Sequence, residues 1–465
     1  MSSTMKTVLA TTSLLLACAG TASAEWGGLT QDPGLQGCFS QAGLGSCASG
    51  RALAAPTSMA VSKDGNHVYV ASQVSGAVAV LVRDQRTGTL SQLPGPEGCI
   101  SQGGSSGQCA NGRSLDYSLS MALSPNGKHL YVASYDSSSV AVFARDQRTG
   151  ALTQLPGPEG CISEGGSGGQ CATGRALLKP RSVAVSPNGR HLYVTSGDGY
   201  AVAVLQRNPA TGALTQLPGP EGCISAGGFS GCTTGRALDF PWSVAVSKDA
   251  KHVYVASYYS NAVAVLQRNP ITGALTQSPG PEGCIGNSGL QCTGGRALYE
   301  PRSVTISPDG KHVYVASGNN DAMAVLQRDR ITGALTQRSG LEGCISADGN
   351  GTCTRVRAVD FPSSVAVTKD GKHVYVASYY GHAVAVLQRD PTSGALTQRD
   401  GPEGCISEPP VIEECPDGEE CPDVPECTDG RALYDLVSVA VSKDGKQVYA
   451  VSAGNSAVAV LKREK

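Results

Sequence analysis

The fold is decided by the stretch Ser243-Val-Ala-Val-Ser247, Lys251-His-Val-Tyr-Val-Ala-Ser257, Ala262-Val-Ala-Val-Leu-Gln-Arg268 and Gly273-Ala-Leu-Thr-Gln277. Most of these four phrases are rich in Val or Ala, and turn residues such as Lys248-Asp249 and Asn269-Pro270 separate them. Short alternating apolar segments bounded by Gly, Pro, Asn and Asp are typical of β-strands. The stretch therefore predicts four consecutive strands and no helix.

The same phrases recur along the whole chain at a constant period. Seven cysteines that follow the fourth phrase are 60 to 62 residues apart: Cys38, Cys99, Cys161, Cys223, Cys284, Cys344 and Cys405. The first phrase begins seven times, at Ser58, Ser120, Ser182, Ser243, Ser303, Ser364 and Ser438. Four strands per long repeat are the signature of a β-propeller blade. The sequence therefore predicts one all-β domain over residues 25–465, a seven-bladed β-propeller with four strands per blade.

The two ends of the chain complement each other. The seventh repeat stops at Lys465 after its third phrase, and the missing fourth phrase stands near the N-terminus as Gly27-Gly-Leu-Thr-Gln31. Gln31 precedes Cys38 by the same seven residues that separate these two positions in the other repeats. The N-terminal strand is therefore predicted to complete the last blade, which closes the ring and leaves no open sheet edge there.

The 17 cysteines predict disulfide-stapled loops between the blades. Each repeat has a second cysteine, and an exported chain with so many cysteines is expected to pair them. The predicted pairs are Cys38–Cys47, Cys99–Cys109, Cys161–Cys171, Cys223–Cys232, Cys284–Cys292, Cys344–Cys353 and Cys405–Cys427, with Cys415–Cys421 nested inside the last loop. Zinc is the alternative for paired cysteines, but these spacings and the lack of accompanying His argue against it. We expect no metal site.

The N-terminal residues predict the localisation of the protein, and its net charge restricts its binding partners. Residues 1–24 read as a signal peptide, with an apolar run and small residues before the cleavage site after Ala24. The alternative is lipoprotein processing, because Leu15-Leu-Ala-Cys18 resembles a lipobox and would leave a lipid anchor on Cys18. Either route predicts a secreted, periplasmic or cell-surface protein, and no stretch is long enough for a transmembrane segment. A net charge of −2 argues against nucleic-acid binding. We expect a monomer.

Departures from the repeat predict a site at one face of the ring. The loop that enters the inner strand and the loop between the second and third strands share a face in propellers, so their variable residues converge there. Those entering the inner strand are Thr57, Leu119, Arg181, Trp242, Arg302, Ser363 and Val437. Those between the second and third strands include Tyr135, Asp136, Asp198, Tyr200, Tyr258, Tyr259, Asn261, Asn320, Asp321, Tyr379, Tyr380 and His382. Aromatic, Arg and Asp residues on a concave surface suit a small-molecule or glycan site.

From these residues we select candidates for two roles. The candidate ligand-binding residues are Trp242, Tyr258, Tyr259, Tyr379, Tyr380, Asp198 and Tyr200. The alternative for the tyrosines is that they cap blade edges. The candidate catalytic residues are His382, Arg181, Arg302 and Asp321, since His382 is the one histidine outside the repeated His-Val-Tyr or His-Leu-Tyr phrase. The other six histidines are interpreted as packing residues. The acidic loop 408–429 could bind Ca²⁺ or simply be solvated, because it lacks EF-hand spacing.

The repeats resemble a known propeller family. Ser307-Pro-Asp-Gly-Lys-His-Val-Tyr-Val-Ala-Ser317, Ala324-Val-Leu-Gln-Arg328 and Thr332-Gly-Ala-Leu-Thr336 are similar to the YVTN repeats of seven-bladed lactonase-like propellers. The resemblance covers nearly all of residues 25–465. It implies a seven-bladed fold and relatives that include 6-phosphogluconolactonases and muconate-lactonizing enzymes. The family's catalytic positions do not match residues here, so none is carried over.

Two functions remain open at this point. The preferred hypothesis is an exported binding or scaffold protein that holds a glycan, a small molecule or an extracellular protein on one loop face. The alternative is a metal-independent, cofactor-free lactonase or lactonizing enzyme acting on a small lactone or carboxylate, that is, a hydrolase or cycloisomerase. General acid–base chemistry would require the candidate groups to lie within hydrogen-bonding reach of one substrate atom.

Overall fold

A computed structural model describes residues 27–287, 291–349, 351–409 and 427–464. In this part of the chain seven β-sheets form the blades of a propeller, which confirms the predicted fold. The innermost strands of neighbouring blades contact one another, and those of the last and first blades do so as well, so the ring is closed. The predicted signal peptide 1–24, Cys18 and the Cys415–Cys421 pair lie outside the described residues.

The first three strands of each blade form an antiparallel meander from the centre outwards. The side chains of the second and third strands are almost fully buried, as expected for Val- and Ala-rich segments. The inner strands are Pro56–Val61, Ser118–Leu123, Pro180–Val185, Pro241–Val246, Pro301–Ile306, Pro362–Val367 and Leu436–Val441. The second strands are His67–Ser72, His129–Ser134, His191–Ser196, His252–Ser257, His312–Ser317, His373–Ser378 and Gln447–Ser452. The third strands are Ala77–Arg83, Ser139–Arg145, Ala201–Arg207, Ala262–Arg268, Ala322–Arg328, Ala383–Arg389 and Ala457–Arg463.

The outer edge of each blade is built from three shorter strands. The predicted fourth strand covers only the last residues of the third strand: Leu90–Gln92, Leu152–Gln154, Leu214–Gln216, Leu275–Gln277, Leu335–Gln337 and Leu396–Gln398. A strand that begins at the first cysteine of each repeat pairs with the first residues of the third strand: Cys99–Gln102, Cys161–Glu164, Cys223–Ala226, Cys284–Gly286, Cys344–Ser346 and Cys405–Ser407. A third strand runs parallel to it: Ala110–Gly112, Ala172–Gly174, Thr233–Gly235, Thr293–Gly294, Thr354–Arg355 and Thr428–Asp429. The stapled segment is therefore part of the sheet and not a free loop.

The seventh blade takes its outer edge from the N-terminus, as predicted. Leu29–Gln31 and Cys38–Gln41 both pair antiparallel with Ala457–Arg463, and Ala48–Gly50 runs parallel to Cys38–Gln41. The N-terminus thus supplies three strands, where the sequence indicated one.

Helical structure in the described ranges consists of single 3-10 turns between strands. They are Leu35–Gly37, Leu44–Ser46, Pro96–Gly98, Gly103–Gly107, Gly157–Gly160, Ser167–Gly169, Pro220–Gly222, Phe229–Gly231, Pro281–Gly283, Gly318–Asn320, Leu341–Gly343 and Pro402–Gly404. Among these residues there is no helix with the length and apolar character needed to span a bilayer.

Each interface between blades contains a buried polar cluster, which the first two blades illustrate. The Tyr69 hydroxyl donates to the Gly150 carbonyl oxygen (2.8 Å) and accepts from Nε of Arg145 (2.5 Å). Nη2 of Arg145 donates to Nδ1 of His67 (2.8 Å) and to the Asp64 carboxylate (3.1 Å). Burial by itself would raise the pKa of Asp64, but hydrogen bonds to that carboxylate and the charge of Arg145 lower it to about 2. These contacts satisfy a buried guanidinium and tie one blade to the next.

The six repeated histidines belong to these clusters, so they pack the interfaces as the sequence indicated. Desolvation and the neighbouring Arg lower the pKa of five of them, His67, His129, His191, His252 and His312. Nδ1 of the sixth, His373, contacts Nη2 of Arg463 (2.7 Å). In the seventh blade Gln447 takes the same place and contacts Nη2 of Arg83 through its carbonyl oxygen. A neutral acceptor beside Arg is therefore what the position requires.

The seven disulfides among the described cysteines join the pairs that the repeat predicts: Cys38–Cys47, Cys99–Cys109, Cys161–Cys171, Cys223–Cys232, Cys284–Cys292, Cys344–Cys353 and Cys405–Cys427. Each links the first cysteine strand to the start of the parallel strand beside it. So many disulfides indicate an oxidising compartment.

Candidate functional site

The residues that face the central channel lie on a bulge repeated in every blade. The pairing of the inner strand with the second strand shifts register at the second residue of the inner strand, for example between Pro241 and Ser243. The bulged residues are Thr57, Leu119, Arg181, Trp242, Arg302, Ser363 and Val437. A bulge leaves one residue unpaired and re-aims its side chain, which is why bulges occur beside binding sites. The predicted variable positions of the inner strand are therefore the channel residues.

A cavity of about 730 Å³ opens at this end of the channel. Its lining is Thr57, Gln73, Tyr117, Leu119, Tyr135, Asp136, Arg181, Trp242, Arg302, Phe361, Ser363, Tyr379, Tyr380, Val437 and Ala453. The two sides of the cavity wall differ in the kind of side chain that they present. Blades two to six supply aromatic and charged side chains, whereas blades seven and one supply small or uncharged ones. A cavity of this size with a few polar groups on an aromatic wall is typical of small-molecule sites.

Two arginines lie against the indole ring of Trp242. The guanidinium carbon of Arg181 is 4.0 Å from the indole centroid, and that of Arg302 is 4.6 Å from it. Arg181 also lies over Phe240 (4.5 Å), and Arg302 lies over Phe361 (4.4 Å). Cation–π contacts of this kind hold a guanidinium in place without neutralising its charge. Trp242 thus positions two cations close together inside the cavity.

Neither guanidinium has an acidic partner within the described ranges. Every ion pair observed there involves other groups, and Nε of Arg181 and Nε of Arg302 are buried without a hydrogen-bond partner. Burial lowers the pKa of Arg181, and the charge of Arg302 acts in the same direction. Two unpaired, partly desolvated cations create a positive potential that attracts an anion.

Glycines make room for both arginines. A Cβ atom on Gly197 would lie 3.0 Å from Nε of Arg181, and one on Gly318 would lie 3.0 Å from Nε of Arg302. The other blades carry Gln73, Tyr135, Tyr258, Tyr379 and Ala453 at this first position after the second strand. The co-occurrence of Arg in the inner strand with Gly after the second strand of the same blade is a signal present in the sequence that the site prediction above does not use.

Aromatic rings surround the arginines in two similar groups. In the fourth blade Tyr258 stacks on Trp242 (centroids 5.3 Å apart), and Tyr259 packs edge-on against Tyr258 (5.1 Å). In the sixth blade Tyr379 and Tyr380 have the same edge-on arrangement (5.1 Å). The structure therefore brings the candidates Trp242, Tyr258, Tyr259, Tyr379 and Tyr380 together with Arg181 and Arg302.

Asp136 is the only carboxylate among the described residues that line the cavity. Its Oδ1 is 2.9 Å from Nζ of Lys179, which also lies 4.7 Å from the ring centroid of Tyr135. This ion pair lies at the edge of the cavity, where the Asp136 side chain is 53% exposed. A carboxylate at the edge of a cavity that water can enter is a group that can accept a proton from water.

His382 and Asp321 occupy a different place from the arginines. Nδ1 of His382 accepts a hydrogen bond from the Asp435 backbone N–H (3.1 Å), and the His382 ring stacks on Tyr434 with centroids 4.0 Å apart. Oδ1 of Asp321 accepts from the Phe361 backbone N–H (2.8 Å), at the equivalent position of its own blade. Both side chains bridge to the next blade, and neither lines the cavity. Their catalytic assignment stays a prediction.

Asp198 and Tyr200 lie apart from the central cavity. They line a groove of about 290 Å³ on the outer part of the same face, together with Leu178 and Phe229. These two candidate ligand-binding residues are thus separated from Trp242 and the paired tyrosines, and their role also stays a prediction.

Comparison with known proteins identifies the type of propeller. The family model "Lactonase, 7-bladed beta-propeller" matches residues 116–159, which is most of one repeat. The chain is a seven-bladed β-propeller, and one of its repeats is similar to this lactonase family. No curated protein matches this propeller in sequence.

Solved structures share the propeller fold at low sequence identity. A candidate 6-phosphogluconolactonase from Bacteroides fragilis is 20% identical with a TM-score of 0.51, covering 74% of this chain and 82% of its own. A second, from Bacteroides uniformis, is 16% identical with a TM-score of 0.53, covering 83% and 88%. The Cps50 (Swd1) propeller domain of Myceliophteria thermophila is 10% identical with a TM-score of 0.51, covering 88% and 96%. At these identities the likeness establishes the fold, and function must be argued from the cavity.

Proposed function

We propose that this propeller hydrolyses a lactone that carries a second, anionic group, and that the reaction takes place in the central cavity. The observation that carries the proposal is the pair of guanidinium groups of Arg181 and Arg302 on the indole of Trp242, whose Nε atoms are buried without a hydrogen-bond partner and which form no ion pair within the described ranges. The lactonase-like fold supports the choice of reaction over simple ligand binding.

The arginines have two tasks in this proposal. One guanidinium binds the carboxylate or phosphate of the substrate through charge-assisted hydrogen bonds. The other lies beside the lactone carbonyl and stabilises the negative charge that develops on its oxygen during attack by water. Because the separation of the two guanidinium carbons cannot exceed the sum of their distances to the Trp242 centroid, 4.0 Å and 4.6 Å, one compact molecule can contact both.

Asp136 completes the chemistry as the general base. Its carboxylate takes a proton from the attacking water, whose oxygen bonds to the carbonyl carbon. The bond between that carbon and the ring oxygen then breaks, and the ring oxygen receives the proton. The product is a hydroxy acid, and its new carboxyl group releases a proton to solvent at neutral pH. The product then carries one more negative charge than the substrate, so the arginines bind both.

The test compares lactones with and without an anionic group. We expect 6-phosphoglucono-δ-lactone or glucaro-1,4-lactone to be hydrolysed with a higher kcat/KM than neutral glucono-δ-lactone, each corrected for spontaneous hydrolysis. Arg302→Gln should lower kcat/KM for the anionic lactones by about 10- to 100-fold, which corresponds to the roughly 1.5–3 kcal/mol of a hydrogen bond to a charged group. Asp136→Asn should lower kcat with either kind of lactone.

Arg338→Gln is the matched control, because Arg338 is an exposed arginine that pairs with Glu342 outside the cavity. Equal rates for neutral and anionic lactones, or full activity in Arg302→Gln, would overturn the proposal. Tight binding of the anionic lactones without any turnover would instead favour the binding-protein hypothesis.

A further inference from the structure

The tyrosines of this protein fall into two sets. Seven belong to the buried clusters between blades: Tyr69, Tyr131, Tyr193, Tyr254, Tyr314, Tyr375 and Tyr449. The other nine all lie in the loops at the cavity end of the ring: Tyr117, Tyr135, Tyr200, Tyr258, Tyr259, Tyr299, Tyr379, Tyr380 and Tyr434. The turns of the opposite face contain no tyrosine in the described ranges. The cavity is therefore the centre of a larger aromatic surface.

Two of these tyrosines combine high exposure with fixed rings. Tyr259 and Tyr380 are each 58% exposed. Tyr259 packs on Phe240 (4.9 Å) and on Tyr258. In the same way, Tyr380 packs on Phe361 (4.8 Å) and on Tyr379. An aromatic ring that is held by its neighbours and open on one side loses little conformational entropy when a ligand stacks on it. These two rings are therefore ready-made contact surfaces.

Arg302 lies between the two exposed rings. It contacts Tyr258 (5.2 Å), on which Tyr259 packs, and it contacts Phe361 (4.4 Å), on which Tyr380 packs. Tyr380 itself forms part of the cavity wall. A ligand whose charged end binds Arg302 can thus extend over either ring without leaving the protein surface.

We propose that the natural ligand is an acidic oligosaccharide, whose uronate end unit enters the cavity while the adjoining sugar units stack on Tyr259 or Tyr380. The carboxylate of the end unit complements Arg181 and Arg302, and the apolar faces of sugar rings complement the exposed tyrosine rings, whose hydroxyls stay in water. The inference rests on the proposed function in one respect, since the same pair of arginines takes the anionic end in both.

The geometry favours an oligosaccharide over a folded protein partner. The two cations lie inside a cavity and not on a flat surface, so the charged end of the ligand must be narrow enough to enter it. A chain of linked sugars has such an end and also repeats the same ring along its length, which suits two similar aromatic platforms. A protein partner would contact the rim broadly and leave Arg181 without its anion.

Isothermal titration calorimetry with galacturonic acid, trigalacturonic acid and neutral maltotriose tests the inference. We expect trigalacturonate to bind about tenfold more tightly than the monomer. The double variant Tyr259→Ala/Tyr380→Ala should remove that difference, since each stacking contact contributes about tenfold at most. Tyr299→Ala is the control, because Tyr299 is also exposed on this face (43%) but belongs to neither ring group.

Equal affinity for the monomer and the trimer, or trimer binding that survives the double variant, would overturn the inference. Maltotriose binding as tightly as trigalacturonate would overturn it too, because the arginines would then have no part in recognition. Lactone turnover separates the two proposals. Turnover without a length effect supports the lactonase alone, and a length effect without turnover supports the oligosaccharide site alone.

Discussion

His129→Gln is expected to make stability less dependent on pH between pH 7 and pH 5. His129 is 4% exposed, and its Nδ1 lies 2.7 Å from Nη2 of Arg207. Since Arg only donates hydrogen bonds, Nδ1 must accept, and the ring must be neutral. Burial and the charge of Arg207 lower the pKa of His129 from 6.5 to about 4.

The sign and size of the effect follow from linkage. The unfolded chain takes up a proton at His129 near pH 6.5, whereas the folded protein does so only near pH 4, so stability falls as the pH drops through this window. At pH 5 this one histidine lowers the free energy of unfolding by about 2 kcal/mol relative to pH 7. Gln at this position supplies an acceptor and a donor and cannot take up a proton, as Gln447 already shows in the seventh blade.

Two further variants make the test specific. Asn126 occupies the position at which other blades place an aspartate beside the arginine, and Asn126→Asp should raise the pKa of His129 and shrink the pH effect. Gln447→His should add a pH effect that the parent lacks in that blade. The measurement is denaturant unfolding at pH 7 and pH 5 without reductant. An unchanged difference between the two pH values in His129→Gln would refute a neutral, interface-packing histidine.

Three other variants test the staples and the interfaces. Replacing both Cys99 and Cys109 with Ser should lower the free energy of unfolding by about 2–3 kcal/mol, and the Arg302-dependent lactone selectivity should survive. Gly212→Ala should cost about 1–3 kcal/mol in a thermal melt, because φ is +85° and the new Cβ would lie 2.3 Å from the histidine ring of the preceding blade. Tyr254→Phe should cost about 1–3 kcal/mol by the same measurement, since Nε of a buried arginine would lose its acceptor.

The fold could be predicted because its signals are local and repeated. Strand phrases, turn residues and cysteine spacing each occur seven times, so a weak signal in one repeat is reinforced by the others. The closure of the ring could be predicted because the fourth phrase is missing from the seventh repeat and present near the N-terminus. The extra strands at Cys99–Gln102 and Ala110–Gly112 were not predicted, because Gly- and Ser-rich segments carry little strand signal and the disulfide holds them in place.

The site could be predicted only in part. Variation within the repeat indicated Arg181, Trp242 and Arg302, but their mutual stacking depends on the bulge and on distances between blades that no local pattern encodes. His382 was selected because it departs from one repeated phrase. The structure shows that it replaces Asp321 and similar hydrogen-bond acceptors at another repeated position. His382 is therefore unusual only by comparison with the repeated His-Val-Tyr phrase, and it is an ordinary hydrogen-bond acceptor at the position that it occupies in its own repeat.

The seventh blade joins strands that lie far apart in the sequence. Leu29–Gln31 and Cys38–Gln41 are synthesised long before the strand that they pair with, Ala457–Arg463, and Ala48–Gly50 pairs with Cys38–Gln41. Contacts between residues so distant in sequence form slowly, because a very long loop must close before they contribute any stability. The Cys38–Cys47 bond spans only nine residues and can form long before that partner exists. We therefore expect it to hold Cys38–Gln41 beside Ala48–Gly50, so that this pair of strands is already formed when Ala457–Arg463 docks on it.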